Sequence, residues 1–162
     1  MRPHLRHREL KLFLGKFSRT LDTTGRFSVP PAFRGPLSGG AYLTQGFDRN
    51  LQVLTNDAFQ EIYHTVVSLN IANPLARLLL RLILGTAQEL GMDADGQLTI
   101  PEELKGIANL QRDIFLIGQG KYFEIWAPDL WSRQEAQLQD AESNADRFSA
   151  LTVSARSSEP AG

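Results

Sequence analysis

At 162 residues, with 42% hydrophobic and 22% charged residues, the chain has the composition of an ordinary soluble globular protein, one domain or two small ones. It contains no cysteine, which excludes disulfides and thiolate metal sites. The formal net charge of −1 conceals a segregation: residues 1–34 carry eight Lys/Arg against Glu9 and Asp22, or +6, and the remainder stands at −7.

In chain order, residues 1–12 have no periodicity and read as a basic mobile arm. Residues 13–21 alternate loosely, with Phe17 and Leu21 on one face and Lys16 and Arg19 off it, as a strand does. Asp22-Thr23-Thr24-Gly25 is a turn: the Asp side chain accepts hydrogen bonds from turn amides, and Gly25 supplies the φ > 0 that closes a hairpin. Phe27 and Val29 form the return strand, and Pro30-Pro31 ends it because proline cannot donate to a ladder. A short helix or turn over residues 31–37 is expected to pack Phe33 inward, followed by strands at 41–44 and 51–54.

Asn56 or Asp57 is expected to cap a helix carrying Phe59, Ile62, Tyr63, Val66 and Val67, and Asn73-Pro74 to start a second that stops at Gly85. A strand then leads to Met92, Asp93-Ala94-Asp95-Gly96 turns, Leu98 and Ile100 alternate, and Pro101 opens a helix. Residues 114–117 and 122–126 form the last strand pair. Asp129 begins a helix reaching Leu138, and from Asp140 the polar Ser/Glu/Ala mixture reads as a disordered tail.

The chain repeats itself. Residues 21–34, Leu-Asp-Thr-Thr-Gly-Arg-Phe-Ser-Val-Pro-Pro-Ala-Phe-Arg, return at an offset of 71 as residues 92–105, Met-Asp-Ala-Asp-Gly-Gln-Leu-Thr-Ile-Pro-Glu-Glu-Leu-Lys. At an offset of 72, Gly46 matches Gly118, Leu51 matches Phe123 and Val53 matches Ile125. Each copy is roughly 45 residues, too small to bury an adequate core alone. Two copies make a pseudo-symmetric unit in which each half completes the strand edges and apolar faces of the other. The telling difference is Arg26 in copy one against Gln97 in copy two.

No catalytic set emerges. His4, His7 and His64 do not lie at metal-ligand spacing, and the paired carboxylates Asp22/Asp93 and Glu102/Glu103 are explained by turns and helix starts. Gly118-x-Gly120 lacks the third glycine and the strand–turn–helix context of a nucleotide fingerprint. Without a nucleophile–base–orienter set, the chain is read as not an enzyme, with no cofactor, metal or small-molecule substrate. The run Leu78-Leu79-Leu80, cut by Arg77 and Arg81, is far short of the ~20 apolar residues of a membrane span. No signal-peptide core follows the basic N-terminus, so a cytoplasmic location is expected.

The Asp-x-x-Gly-Arg loop is different. Arg26 after the turn presents a planar, permanently charged fork that matches phosphate oxygens or the O6/N7 edge of guanine. Thr24 and Gly25 share the loop, and Lys16, Arg19 and Arg34 flank it where they could meet backbone phosphates. Asp22, Asp93 and Gly96 are structural turn residues. The alternative reading makes Arg26 a hairpin staple paired with Asp22.

These residues resemble the MraZ family of bacterial transcriptional regulators, built from two swapped-hairpin modules of the AbrB/SpoVT type. The resemblance rests on Leu14-Gly15, Leu21-Asp22-x-x-Gly25-Arg26-x-x-x-Pro30, Ala76-Arg77-Leu78-x-x-Arg81-Leu82-x-x-Gly85, Met92-Asp93-x-x-Gly96 and Gly118-x-x-x-x-Phe123-Glu124-Ile125-Trp126. It implies an α+β fold of two tandem pseudo-symmetric modules with a helical connector and a C-terminal helix. On that plan residues 1–12 are the arm, 13–57 the first repeat, 58–85 the connector, 86–129 the second repeat, and 130–162 the C-terminal helix and tail. It further implies a transcriptional regulator, typically a repressor, that binds direct-repeat boxes in double-stranded DNA upstream of the division and cell-wall gene cluster. Such regulators form ring-shaped homo-oligomers and are nucleoid-associated, with the loop arginine, here Arg26, contacting DNA.

Two departures stand out. Many members carry the loop arginine in both copies, so Gln97 makes copy two mainly architectural. Members usually begin with Met where this chain has Leu12, so residues 1–11 are either an extension contacting phosphates or lie upstream of the natural start. Leu78, Leu79, Leu82, Ile83, Trp126 and Trp131 are assigned to the core ahead of subunit contacts. The reading from another class is an AbrB-fold protein-interaction scaffold or antitoxin-like module.

Overall fold

Neither copy of the repeat closes a sheet on its own. The computed structural model describes residues 12–157, so residues 1–11 of the expected basic arm lie outside the described residues. Copy one supplies β1 (Lys16–Thr20), β2 (Arg26–Ser28), α1 (Pro31–Arg34), β3 (Ala41–Gln45) and β4 (Leu51–Thr55). The connector supplies α2 (Asn56–Val67) and α3 (Pro74–Ile83). Copy two supplies β5 (Gln88–Leu90), β6 (Gln97–Thr99), α4 (Glu102–Ile107), β7 (Asp113–Gly118) and β8 (Tyr122–Trp126). The helices α5 (Pro128–Leu138) and α6 (Ala141–Ser157) follow. Two compact units divide between Pro128 and Asp129.

Six strands form one antiparallel sheet in the order β1-β7-β8-β4-β3-β5, and β2 pairs with β6 in a second, two-stranded sheet. A pseudo-two-fold axis passes between β8 and β4 and between β2 and β6. About that axis β1 is added to the β7–β8 hairpin of copy two, and β5 to the β3–β4 hairpin of copy one. The chain is therefore an α+β protein of two repeats that exchange their first strands.

This exchange corrects the simple hairpin expected around Asp22–Gly25. The turn closes, with the Asp22 amide donating to the Arg26 carbonyl at 3.0 Å, but Phe27 and Val29 do not return along β1. Instead Phe27 pairs opposite Leu98 across the axis, both fully buried. The Val29 amide donates to the Gly96 carbonyl at 2.9 Å and the Ile100 amide to the Gly25 carbonyl at 2.8 Å. Crossing buries an apolar pair that a local hairpin would leave facing solvent, and area removed from water is the dominant favourable quantity.

The core follows the exchange. Phe33 of α1 packs between Phe13, Phe17 and Phe123, with ring centroids 5.0–5.1 Å away, and Phe123 comes from the other repeat. Centroid spacings of this kind suit edge-on and tilted aromatic contacts. On the other side, Phe59 of α2 stacks on Tyr42 of β3 at 4.0 Å, beside Leu54 and Ala58. Between the repeats, Asn50 before β4 is buried and donates through Nδ2 to Glu124 Oε2 at 2.7 Å, while Trp126 Nε1 donates to Glu124 Oε1 at 3.0 Å. Burial pushes the Glu124 carboxyl above its ordinary value, and the hydrogen bonds from Trp126 and Asn50 oppose that rise. The Glu124 and Trp126 of the repeat motif thus hold each other.

Several local expectations need correction. Thr55, not Asn56 or Asp57, caps α2: its backbone is extended and its side chain accepts from the Ala58 amide, whereas Asn56 is already helical and donates to the Gly39 carbonyl. Asn73 caps α3 with Pro74 in its first turn, as expected. Leu78 does not enter the core. Ala76 and Ile83, one heptad apart, form the buried stripe of α3 and leave Leu78 60% exposed. Ile83, Trp126 and Trp131 are buried, and Leu79 and Leu82 half-buried.

The tail is not disordered from Asp140. Residues 141–157 form α6, because Asp140 accepts the Ser143 amide at its start and alanines 141, 145 and 150 favour helix. Asn144 also donates to the Gln137 carbonyl, closing the end of α5. The last five residues lie outside the described chain. No helix among the described residues is long and apolar enough to cross a membrane.

Replacing Glu124 by Ala strips the Asn50 amide and the Trp126 indole of their acceptor, and is expected to lower stability by about 1–3 kcal/mol. The check is a shift of the urea midpoint at an unchanged m-value.

Candidate nucleic-acid interface

The Asp22 carboxylate organises the loop that carries Arg26. Its Oδ1 accepts the amides of Thr24 and Arg26, both at 2.9 Å, and the Thr24 hydroxyl at 2.8 Å. Its Oδ2 accepts Arg26 Nε at 3.0 Å. These donors favour the ionised form and hold the Asp22 carboxyl well below the usual carboxylate range, the Arg26 backbone amide contributing most. Gly25 occupies φ +85°, where an L side chain is strained. Copy two repeats the backbone pattern: Asp93 Oδ1 accepts the amides of Asp95 and Gln97 at 2.9 Å, and Gly96 sits at φ +75°. Asp22, Asp93 and Gly96 therefore occupy the turn positions that the sequence assigns to them.

Arg26 combines both sequence readings. Its Nε is stapled to Asp22, while its side chain is 47% exposed and its terminal nitrogens make no further hydrogen bond among the described residues. The staple fixes the guanidinium plane and leaves its outer donors facing solvent.

Of the other predicted residues, Arg19 lies beside Arg26, and Lys16 and Arg34 do not. Arg19 is half-buried. It donates through Nε to the Ser28 carbonyl at 3.1 Å and through a terminal nitrogen to the Ser18 carbonyl at 2.8 Å, bridging β1 to β2. Lys16 sits at the far end of β1, its ammonium 4.5 Å from the Phe115 ring centroid. Arg34 donates to the Val29 carbonyl at 2.8 Å and lies against Gly96, at the other repeat's turn. Its repeat counterpart Lys105 reciprocates by laying its stem against Gly25.

A cleft of about 790 Å³ opens beside the first loop, lined by Arg19, Asp22, Arg26, Gln97, Lys105 and Arg112 among others. Sequence reasoning missed Lys105 and Arg112 as members of this site. Lys105 carries a signal, since it stands where Arg34 stands in the repeat. Arg112 carries none until β1 is known to pair with β7, which brings the Arg112 carbonyl to the Leu21 amide at 2.7 Å. No group of three or more His, Cys, Asp or Glu among the described residues is placed to hold a metal ion.

A family model described as "MraZ protein, putative antitoxin-like" matches twice, over residues 12–82 and 83–153. The two matched units start 71 positions apart, the offset of the internal repeat. The chain belongs to the MraZ family. Among its relatives is a protein named transcriptional regulator MraZ from Thermomicrobium roseum, 37% identical, with 86% of this chain and 99% of that protein covered. Proteins of the same name from Methylococcus capsulatus and Mycolicibacterium smegmatis are 35% and 34% identical, covering 86% and 87% of this chain and 99% and 94% of their own lengths.

The two loop glycines are predicted to differ in tolerance. A Cβ at Gly25 would lie 2.7 Å from the Ile100 carbonyl oxygen, part of the exchanged backbone, whereas one at Gly96 would meet the movable guanidinium of Arg34. Gly96→Ala should cost about 1–2 kcal/mol from its positive φ, and Gly25→Ala distinctly more, as read by thermal melts of the two variants. Because the native Asp22 value is depressed, its contribution is fully present above the ordinary aspartate pKa and is lost only as pH falls through the lower native value. Carboxyl carbon shifts followed by NMR in acid should show Asp22 still ionised after exposed carboxylates have titrated.

Proposed function

We propose that this chain is a sequence-specific DNA-binding transcriptional regulator in which the first loop meets double-stranded DNA and Arg26 makes the leading contact. The observation that carries this reading is the stapled, half-exposed Arg26 fork on a rigid turn beside a cationic cleft. A guanidinium fixed on one side by Asp22 presents its remaining donors at low entropic cost, which suits a phosphate or a guanine edge. The relatives' name, transcriptional regulator MraZ, agrees with it. Thr24 and Gly25 shape the loop, and Arg19 reaches the same cleft. Lys16 and Arg34 lie away from Arg26 and outside the cleft, so they take no part in the leading contact.

One loop makes few contacts, and specific affinity normally requires several. A closed homo-oligomer, in the form of a ring, would present many copies of Arg26 to direct-repeat boxes and gain avidity where the box spacing matches the subunits. The upstream region of the division and cell-wall gene cluster is the expected target, with repression the expected outcome in a cytoplasmic, nucleoid-associated setting. The second loop, with neutral Gln97 in the arginine's place and Asp93 and Asp95 in its turn, serves the architecture.

A second reading, an AbrB-fold interaction scaffold or antitoxin-like module, draws on the exposed Leu75 and Leu78 of α3. Mobility shifts on the chain's own upstream DNA across a salt series separate the two. The regulator reading expects steep salt dependence, with Arg26→Ala reducing the slope of log K against log salt by about one and Gln97→Ala leaving it unchanged. Binding unaltered in Arg26→Ala removes the site assignment, and no binding at any salt favours the scaffold.

A further inference from the structure

The two ends of the pseudo-two-fold are alike in backbone and opposite in charge. Around the first loop stand Arg19, Arg26, Lys105 and Arg112, and the one acid in the cleft lining, Asp22, is committed to the turn. Around the second loop, Leu90 takes the place of Arg19 and Gln97 that of Arg26, with Asp93 and Asp95 in the turn. The segment before β3, Ser38-Gly39-Gly40, carries no charge where the segment before β7 carries Arg112. Arg34 remains at that end, bonded to the Val29 carbonyl and the Ser28 hydroxyl, and its single positive charge is outnumbered by Asp93 and Asp95.

Two of the four cations at the first loop therefore come from the second repeat, and the fold places both. Arg112 is fixed by the β1–β7 ladder: Thr20 pairs opposite Asp113, and the Arg112 carbonyl accepts the Leu21 amide one residue before Asp22. Its side chain is exposed and makes no hydrogen bond among the described residues. Lys105 reaches across the axis from α4. Its stem rests on Gly25, the side chain is only 15% exposed, and its ammonium meets the 90% exposed Glu102 at a loose 3.4 Å. The contact is long and its acid is open to solvent, so the ammonium can exchange Glu102 for a phosphate.

We propose that Lys105 and Arg112 of the second repeat form a phosphodiester clamp beside Arg26, so that the DNA-facing site is composite, with the second repeat contributing cations to the cleft that its neutral Gln97 also lines. The inference rests on the DNA reading above. Arg26, on the loop tip, reaches the position that discriminates; Lys105 and Arg112 hold the backbone on which that position sits. Phosphate contacts position without specifying, so the two roles separate experimentally.

The test uses the full chain, its own upstream duplex and a scrambled duplex of equal length, with fluorescence anisotropy over a salt series. Arg112→Gln and Lys105→Gln are each expected to reduce the slope of log K against log salt by about one while preserving the ratio of upstream to scrambled binding. Arg112→Lys should keep the wild-type slope, which separates lost charge from lost structure, and unchanged melting curves confirm folding. Lys121→Gln, which removes an equal charge from the surface pair with Glu61, should leave binding unaltered. Wild-type slopes in both Gln variants, with Arg26→Ala still weakened, overturn the clamp and leave the DNA reading standing. A slope change equal to theirs in Lys121→Gln also overturns it, because net charge would then be the cause. If the wild-type chain binds neither duplex, both readings fall together.

Discussion

Two backbone hydrogen bonds, Ile100 amide to Gly25 carbonyl and Val29 amide to Gly96 carbonyl, tie each repeat's turn to the strand of the other. Both glycines adopt positive φ, and at Gly25 the missing Cβ also leaves room for the Ile100 backbone, whereas at Gly96 that space holds the Arg34 guanidinium. With this crossing in place, β1 and β5 find ladders only in the opposite repeat, and Phe27 and Leu98 are sealed between the copies. Half a chain of this size would expose unpaired edges and too small a core. The fold is thus a single cooperative object although its sequence is written twice.

That exchange also makes an asymmetric surface out of a symmetric backbone. Each turn is overlain by a long cationic side chain from the other copy, Arg34 on Gly96 and Lys105 on Gly25. Beyond that pair the ends diverge, since Arg19, Arg26 and Arg112 gather at one and Asp93 and Asp95 mark the other. An internal duplication leaves each copy free to change once its partner retains the charged role. Here the changes keep the hydrogen bonds that the turn's backbone amides donate, so the backbone is preserved while the side-chain chemistry varies.

Asp22 links the two levels. Its Oδ1 builds the turn, as Asp93 does in copy two, and its Oδ2 orients Arg26, which Asp93 has no arginine to do. The staple and presentation readings of Arg26 consequently describe one arrangement. Arg19 shows the opposite economy: most of its fork is engaged by the carbonyls of Ser28 and Ser18, so its presence at the cleft is tied to holding β1 and β2 together.

By itself the sequence determines the repeat, the two Asp-x-x-Gly turns, most strands and helices, and the contrast of Arg26 with Gln97. These are legible because turn chemistry and alternation act over a few residues. The helical α6 was hidden, since its composition is polar and its start depends on the Asp140 cap. Leu78 misleads in the other direction, because an apolar run does not say which stripe of a helix faces inward. Only the tertiary structure decides that β2 crosses to β6, that Arg34 leaves the first loop for the second, and that Lys105 and Arg112 join Arg26. Each depends on contact between residues some sixty or more positions apart. Local propensity is silent on such pairings, which are set by which edges and apolar faces remain to be covered once both copies are present.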